Sequence, residues 1–244
     1  MKGKGATAKN YFVLNTGAKI PAVGLATWQH GGDLCAEAVA TALTAGYRHI
    51  DCAHLYGNEV EVGKALAEAF ESGAKREDLF LTSKLYCATN SHKRVENSVR
   101  VSLKSLGVSY LDLYLVHWPE CSALGDATDP SWKSASEYRQ FSQRLKPTWE
   151  SMEGLVQMGL VRAIGVSNFN IQQISELLQF AKIVPAVNQV TTALLSPGLS
   201  DSGSEDEAGT PRITFRRSRS VHGPMMKLSV VVDIAERHNK TPEQ

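Results

Sequence analysis

Four residues of types that exchange protons or carry charge, Asp51, Tyr56, Lys84 and His117, stand in this order inside polar motifs of a 244-residue chain. A tyrosine near its reference pKa of ~10 is a poor acid–base group at neutrality. It becomes useful when a neighbouring cation stabilises its anion. Lys84 is the candidate ammonium, and Asp51 the carboxylate that would hold it charged and in place. Tyr56, so supported, could act as general acid toward an oxygen that gains negative charge. His117 could donate a hydrogen bond to that oxygen and orient it. Taken singly, an Asp or Lys at a strand end is ordinarily a solvated loop residue, and a His before Trp118-Pro119 is ordinarily structural. The four gain weight as an ordered set, each inside a longer polar motif.

Residues far apart in sequence need a scaffold that brings them together. Short β-rich runs alternate here with longer amphipathic runs, the signature of βα units around a parallel sheet. A hairpin comes first: Phe12 to Leu14, the turn Asn15-Thr16-Gly17, then Lys19 to Pro21. Strands are predicted at Val23–Leu25, His49–Cys52, Leu79–Ser83, Leu111–His117, Arg162–Val166 and Ala186–Val190. Helices are predicted between them, at Leu34–Ala45, Asn58–Glu71, Lys93–Leu106, Gln143–Met158 and Ile171–Phe180. The Lys93 helix carries its apolar stripe at Val95, Val99, Leu103 and Leu106. It ends at Gly107, a residue tolerant of positive φ.

After Val190 the pattern changes. Residues 191–224 cluster Ser, Gly, Pro, Asp and Glu, then the basic run Arg216-Arg217-Ser218-Arg219, and are predicted to be irregular. From Met225 one helix is predicted, with Leu228, Val231, Val232, Ile234 and Ala235 apolar. The expected organisation is a barrel portion over 1–190, an irregular segment over 191–224 and a remnant C-terminal helix over 225–244. The fold class is α/β, of (β/α)8 TIM-barrel type but incomplete. It should hold about six parallel strands, an N-terminal β-hairpin and an open, association-prone edge. In such barrels sites are built at the C-terminal ends of strands, where the four residues fall.

Composition removes other classes. Apolar residues make up 43% and charged residues 21%, with net charge +1, so no strong field draws nucleic acid or membrane. Cys35, Cys52, Cys87 and Cys121 form no C-x-x-C pair and no zinc spacing with histidine. No metal is expected, and the thiols suit a reducing compartment. Met1 to Asn10 lacks the apolar core of a secretory signal, and no apolar run approaches the ~20 residues of a membrane span. A cytoplasmic location is expected. No G-x-G-x-x-G follows a strand, which argues against a Rossmann site.

The run Gly46-Tyr47-Arg48-His49-Ile50-Asp51-Cys52-Ala53-His54-Leu55-Tyr56-Gly57-Asn58-Glu59 resembles the first signature of the aldo-keto reductases. The resemblance continues through Val62-Gly63, Thr82-Ser83-Lys84, Val116-His117-Trp118-Pro119, Ile164-Gly165-Val166-Ser167-Asn168-Phe169 and Val187-Asn188-Gln189. It runs from about Tyr11 to Val190 with a plant-type flavour, and returns weakly from Ile234 to Gln244. It implies a monomeric, NADPH-dependent oxidoreductase that reduces the carbonyls of small aldehydes and ketones to alcohols. By position it implies a catalytic tetrad of Asp51, Tyr56, Lys84 and His117. It implies Ser167, Asn168 and Gln189, with Asp51, on the cofactor side, where they would hold the nicotinamide carboxamide. Ser167-Asn168 would also suit the cap of the next helix. Trp28 and Trp118, with His117, would line the substrate pocket, whereas Trp149 sits mid-helix and suits the core.

The resemblance also implies an aromatic stack on the nicotinamide and a grip on the 2′-phosphate, both from late strands. Neither has a match here. Ser196-Pro197-Gly198 is similar to the family's loop after strand seven, and Arg216 to Arg219 suit either a phosphate or solvent. Three readings follow: a carbonyl reductase, a catalytically impaired truncated variant of one, and a non-catalytic interaction protein using its polar segment. Positioning of the reactants is worth ~7–11 kcal/mol of a barrier, so a chain keeping the tetrad but lacking strands seven and eight is expected to turn over weakly. The substrate loops near the C-terminus have no match, so the particular carbonyl is not specified.

Overall fold

The two faces of each strand carry different side chains, and that difference builds the molecule. The structure is a computed structural model that describes residues 11–29, 31–86, 91–119, 135–192 and 212–216. Strand β1 (Tyr11–Val13) pairs antiparallel with β2 (Lys19–Pro21) across a turn closed by Gly17 at φ 81°, a conformation glycine adopts at little cost. Seven parallel strands follow in chain order: β3 (Leu25–Ala26), β4 (His49–Asp51), β5 (Phe80–Leu85), β6 (Leu111–Val116), β7 (Val161–Ser167), β8 (Asn188–Thr192) and β9 (Arg212–Arg216). Helices α1 (Asp33–Thr44), α2 (Glu59–Glu71), α3 (His92–Leu106), α4 (Ala135–Gln157) and α5 (Ile171–Leu178) lie between strands β3 to β8.

Outward-facing residues of the strands meet the helices. Ile50, Cys52, Leu81, Leu85, Tyr114, Val116, Ile164 and Val166 pack with Val39, Val62, Leu66, Val95, Val99, Leu103 and Trp149 in one core. The indole Nε1 of fully buried Trp149 donates to the carbonyl of Ile183 at 3.0 Å, so this tryptophan is core, as expected. Inward-facing residues form a second core of Phe80, Leu113, Leu115, Ala163, Ala186 and Val187, joined by Leu14 and Ile20 of the hairpin. The hairpin therefore plugs the end of the sheet at which the strands start. Further along the same inward faces, polar residues replace apolar ones.

The six strands and five helices expected from the sequence all form, as an incomplete (β/α)8 barrel with its N-terminal hairpin. Two boundaries need correction. Helix α4 begins at Ala135, not Gln143, and carries Pro147 inside it. A proline there costs a helix hydrogen bond, but burial of Leu145, Trp149 and Met152 on one face holds the helix in place. The second correction concerns the stretch 191–224, expected to be irregular. Strand β8 runs on to Thr192, and Arg212–Arg216 forms a seventh parallel strand, with Asn188 opposite Arg212 and Thr192 opposite Arg216. Ile213-Thr214-Phe215 is a short β-branched and aromatic run, masked in the sequence by its polar surroundings. The edge of β8 offers the unpaired backbone groups that recruit it. Among the described residues the sheet thus ends at β9 rather than β8, with β3 at its other edge. The remainder of 191–224, including Ser196 to Gly198, the helix expected over 225–244, Arg217 to Arg219, Cys87 and Cys121 lie outside the described residues.

Candidate active site

Lys84 stands near the end of β5 with its side chain on the inward face, fully buried. Its ammonium uses all of its hydrogen-bonding capacity on one side of the barrel mouth. Nζ donates to both carboxylate oxygens of Asp51 at 2.9 Å, to the carbonyl of Cys52 at 2.9 Å and to the hydroxyl of Tyr56 at 3.3 Å. Asp51 ends β4, the neighbouring strand, with Thr82 of β5 directly opposite it. Tyr56 sits in the 3-10 turn His54–Tyr56, which Gly57 closes at φ 68°. His117 follows β6, buried, with its ring edge-on to that of Tyr56 at 5.6 Å between centroids. The four residues expected to act together converge on one end of the sheet.

The residues expected on the cofactor side join the same cluster. Gln189 of β8 donates its amide N–H to Asp51 Oδ1 at 3.3 Å. Ser167 ends β7 and donates its hydroxyl to the carbonyl of Gln189 at 2.8 Å. Asn168 donates its amide to the carbonyl of His117 at 2.9 Å and to Ser167 Oγ at 3.1 Å. Its backbone is left-handed, φ 63°, a conformation Asn tolerates better than most residues. The capping role considered for Ser167-Asn168 is not what the structure shows. Asn170 caps α5 through a reciprocal pair with Gln173, which frees Asn168 to face the site. Trp118 stacks on His117 at 5.8 Å and 22° between rings. Trp28 follows β3, 39% exposed.

Burial and charge set the protonation states. Burial lowers the His117 pKa to about 3, and the Lys84 charge adds to the effect. The imidazole is therefore neutral, with one N–H to offer. Its Nδ1 has no partner among the described residues. Burial is the largest single influence on Lys84 and pulls it down, but the charges and hydrogen bonds of Asp51 and Tyr56 together outweigh it, and the ammonium is held above the ordinary lysine value. For Tyr56, burial raises the pKa above 10, and Lys84 offsets only part of that. The expectation that Lys84 stabilises the phenolate holds in direction, but burial is the larger effect. The free protein thus keeps Tyr56 as the protonated acid.

Some of the supporting residues were quoted in the sequence motifs without a role. Thr27, next to Trp28 in the chain, and Asn58, two residues after Tyr56, hydrogen-bond each other. Glu59, 4% exposed, accepts from Ser83 Oγ at 2.6 Å and Ser102 Oγ at 2.9 Å, tying α2 and α3 to the strand that carries Lys84. His49, buried on the inward face, bonds Thr82 Oγ1 at 3.1 Å. The adjacent signals were Gly57-Asn58-Glu59 and Thr82-Ser83-Lys84, but pairing between them is a tertiary matter.

A profile of the aldo/keto reductase family matches residues 22–206. The chain belongs to that family. This aldo-keto reductase is 40% identical to aldo-keto reductase family 1 member A1 of Mus musculus, a match spanning 95% of the chain and 74% of the mouse protein. It is 39% identical to aldo-keto reductase family 4 member C11 of Arabidopsis thaliana, over 96% and 74% respectively. Among solved structures it is similar to the aldose reductase of Schistosoma japonicum, with TM-score 0.77 and 36% identity over 95% of this chain and 76% of that one. It is similar as well to the Bombyx mori aldo-keto reductase solved in complex with NADP, with TM-score 0.74 and 29% identity over 97% and 78%. By family it is an NADPH-dependent oxidoreductase. No helix among the described residues is long and apolar enough to cross a membrane. Nor do the described residues hold a group of three or more His, Cys, Asp or Glu that could bind a metal ion.

Proposed function

We propose that this aldo-keto reductase reduces small aldehydes and ketones to alcohols, with Tyr56 supplying the proton. One observation carries the reading: the Lys84 ammonium lies in hydrogen-bond contact with both the Asp51 carboxylate and the Tyr56 hydroxyl. NADPH, when bound, supplies the hydride. As the carbonyl oxygen gains charge, the Tyr56 hydroxyl donates its proton to it. Lys84 stabilises the phenolate left behind, at the short range and low polarity where such a charge counts most. Asp51 keeps Lys84 charged and aimed. Neutral His117 offers its N–H to the same oxygen and sets the face on which the carbonyl lies, while Trp28 and Trp118 form apolar walls.

The residues fit a nicotinamide. A carboxamide offers two donors and one acceptor. In the cluster, the amide nitrogens of Asn168 and Gln189 are engaged, which leaves Asn168 Oδ1 and Gln189 Oε1 without partners among the described residues. Both are acceptors suited to the carboxamide NH2, and Ser167 holds the Gln189 backbone in place.

A second reading keeps the acid–base site but not efficient turnover. It is favoured by residues 193–211, which must carry the chain between the parallel strands β8 and β9. That stretch is rich in Ser and acidic residues with Pro197, Gly198, Gly203, Gly209 and Pro211, a poor composition for the helical crossover parallel strands ordinarily use. The test is NADPH oxidation at 340 nm with a reactive aldehyde, alongside fluorescence titration with NADPH. Saturable turnover abolished in Tyr56→Phe supports the first reading. NADPH binding without turnover in a folded chain supports the second, and neither binding nor turnover refutes the first.

A further inference from the structure

We propose that Asn58 is a positioning residue, clamping the loop that bears Trp28 to the turn that bears Tyr56. An Asn just before a helix ordinarily turns its side chain onto the helix's first N–H groups. Asn58 stands immediately before α2 but makes no such cap. Its amide reaches across to the β3 loop instead. Nδ2 donates to the carbonyl of Thr27 at 2.7 Å, and Oδ1 accepts from Thr27 Oγ1 at 3.3 Å. The pair is reciprocal, links residues distant in sequence, and is buried: Thr27 is 1% exposed and Asn58 2%. The Thr27 N–H also donates to the carbonyl of Asp51 at 3.0 Å. One unit therefore ties together the ends of β3 and β4 and the Tyr56 turn.

The clamp holds the segment that carries Trp28. Trp28 directly follows Thr27 and is 39% exposed. Gln29 next to it has φ 66°, a left-handed backbone in a residue with a long side chain, which persists only where its surroundings impose it. On the other side, Gly57 at φ 68° joins Tyr56 directly to Asn58. The clamp thus sets the distance between an apolar wall and the acid. Its expected contribution is specificity for substrate bulk as well as alignment of the proton donor.

The inference rests on the reduction reaction proposed above, so its test includes a readout that needs no turnover. Acrylamide quenching of Trp28 is obtained as the difference between each variant and the same variant carrying Trp28→Phe. In Asn58→Ala the Trp28 quenching constant should rise. In Thr27→Ser, which keeps the hydroxyl, the Trp28 quenching constant should be unchanged. Thr27→Val loses the hydroxyl half of the pair, together with its 3.5 Å contact to the Asp51 carbonyl, and carries the same readout should Asn58→Ala fail to fold. In steady-state assays of Asn58→Ala, KM for a bulky aromatic aldehyde should rise more than KM for a small aliphatic one, with kcat lowered for both. Unchanged Trp28 quenching in a folded Asn58→Ala or Thr27→Val overturns the clamp. Absence of turnover in the unaltered protein overturns the reaction instead, and leaves the quenching result to decide the clamp.

Discussion

Lys84 Nζ lies 2.9 Å from each carboxylate oxygen of Asp51, and the pair is sealed from solvent, with Lys84 0% and Asp51 2% exposed. A buried pair of this kind adds little net stability over apolar residues of the same volume, yet breaking it strands a charge. Asp51→Asn should therefore lower unfolding stability by about 3–5 kcal/mol, read as a shift of the urea midpoint. Asp51→Asn combined with Lys84→Met should regain most of that loss while remaining inactive. Additive losses in the double variant would contradict the pairing.

Acid should destabilise the fold through two buried histidines. Burial lowers His49 to about 4 and His117 to about 3, from 6.5. Both folded values are depressed, so the stability held by the neutral rings is fully present above 6.5. It declines as pH falls below that, until each folded value is passed. Each ring contributes a slope of up to about 1.4 kcal/mol per pH unit. Unfolding free energy measured from neutrality down to about pH 4 should fall less steeply in His49→Gln than in the unaltered protein. Equal slopes would mean that His49 titrates normally in the folded state.

In the proposed reduction Tyr56 must hold its proton, and its pKa is raised by burial, with Lys84 pulling part of the way back. The kcat for reduction should be flat through neutrality and decline only in the alkaline range. Tyr56→Phe should lose about 10²–10⁴-fold in kcat, the usual contribution of general acid catalysis, with a smaller change in KM. A decline of kcat near neutrality would assign the proton to another group.

The backbone of α3 approaches α2 closely at Gly63. A Cβ there would clash with the backbone carbonyl of Ser105, and backbone does not yield as a flexible side chain would. Gly63→Ala should destabilise the fold by about 1–3 kcal/mol, the usual cost of overpacking, as measured by thermal or urea unfolding. The neighbouring exposed substitution Lys64→Ala should have little effect. A neutral Gly63→Ala would show that the two helices separate without cost.

The elements that carry chemistry were legible in the sequence because periodicity and strand-end motifs are local properties. Strands β4 to β8, with β3 offset to Leu25–Ala26, formed where apolar runs predicted them. Asp51, Lys84, His117, Ser167 and Gln189 could be placed at strand ends from the predicted strands, whereas their convergence on one inward face came from the structure. Strand β9 escaped because its five residues carry a weak strand signal inside a polar stretch. It is an edge strand whose pairing depends on β8, not on its own composition.

The sequence by itself determined where most strands and helices lie and which chemistry-bearing residues stand at strand ends, since periodicity and turn signals are local. Only the tertiary structure decided what those residues do to one another. That burial outweighs Lys84 at Tyr56, that Asn58 reaches for Thr27 instead of capping α2, and that Asn170 takes the cap Asn168 leaves are all results of long-range packing. Desolvation and hydrogen-bond partnership depend on every neighbour a side chain acquires on folding, and neighbours brought from distant strands leave no trace in local spacing.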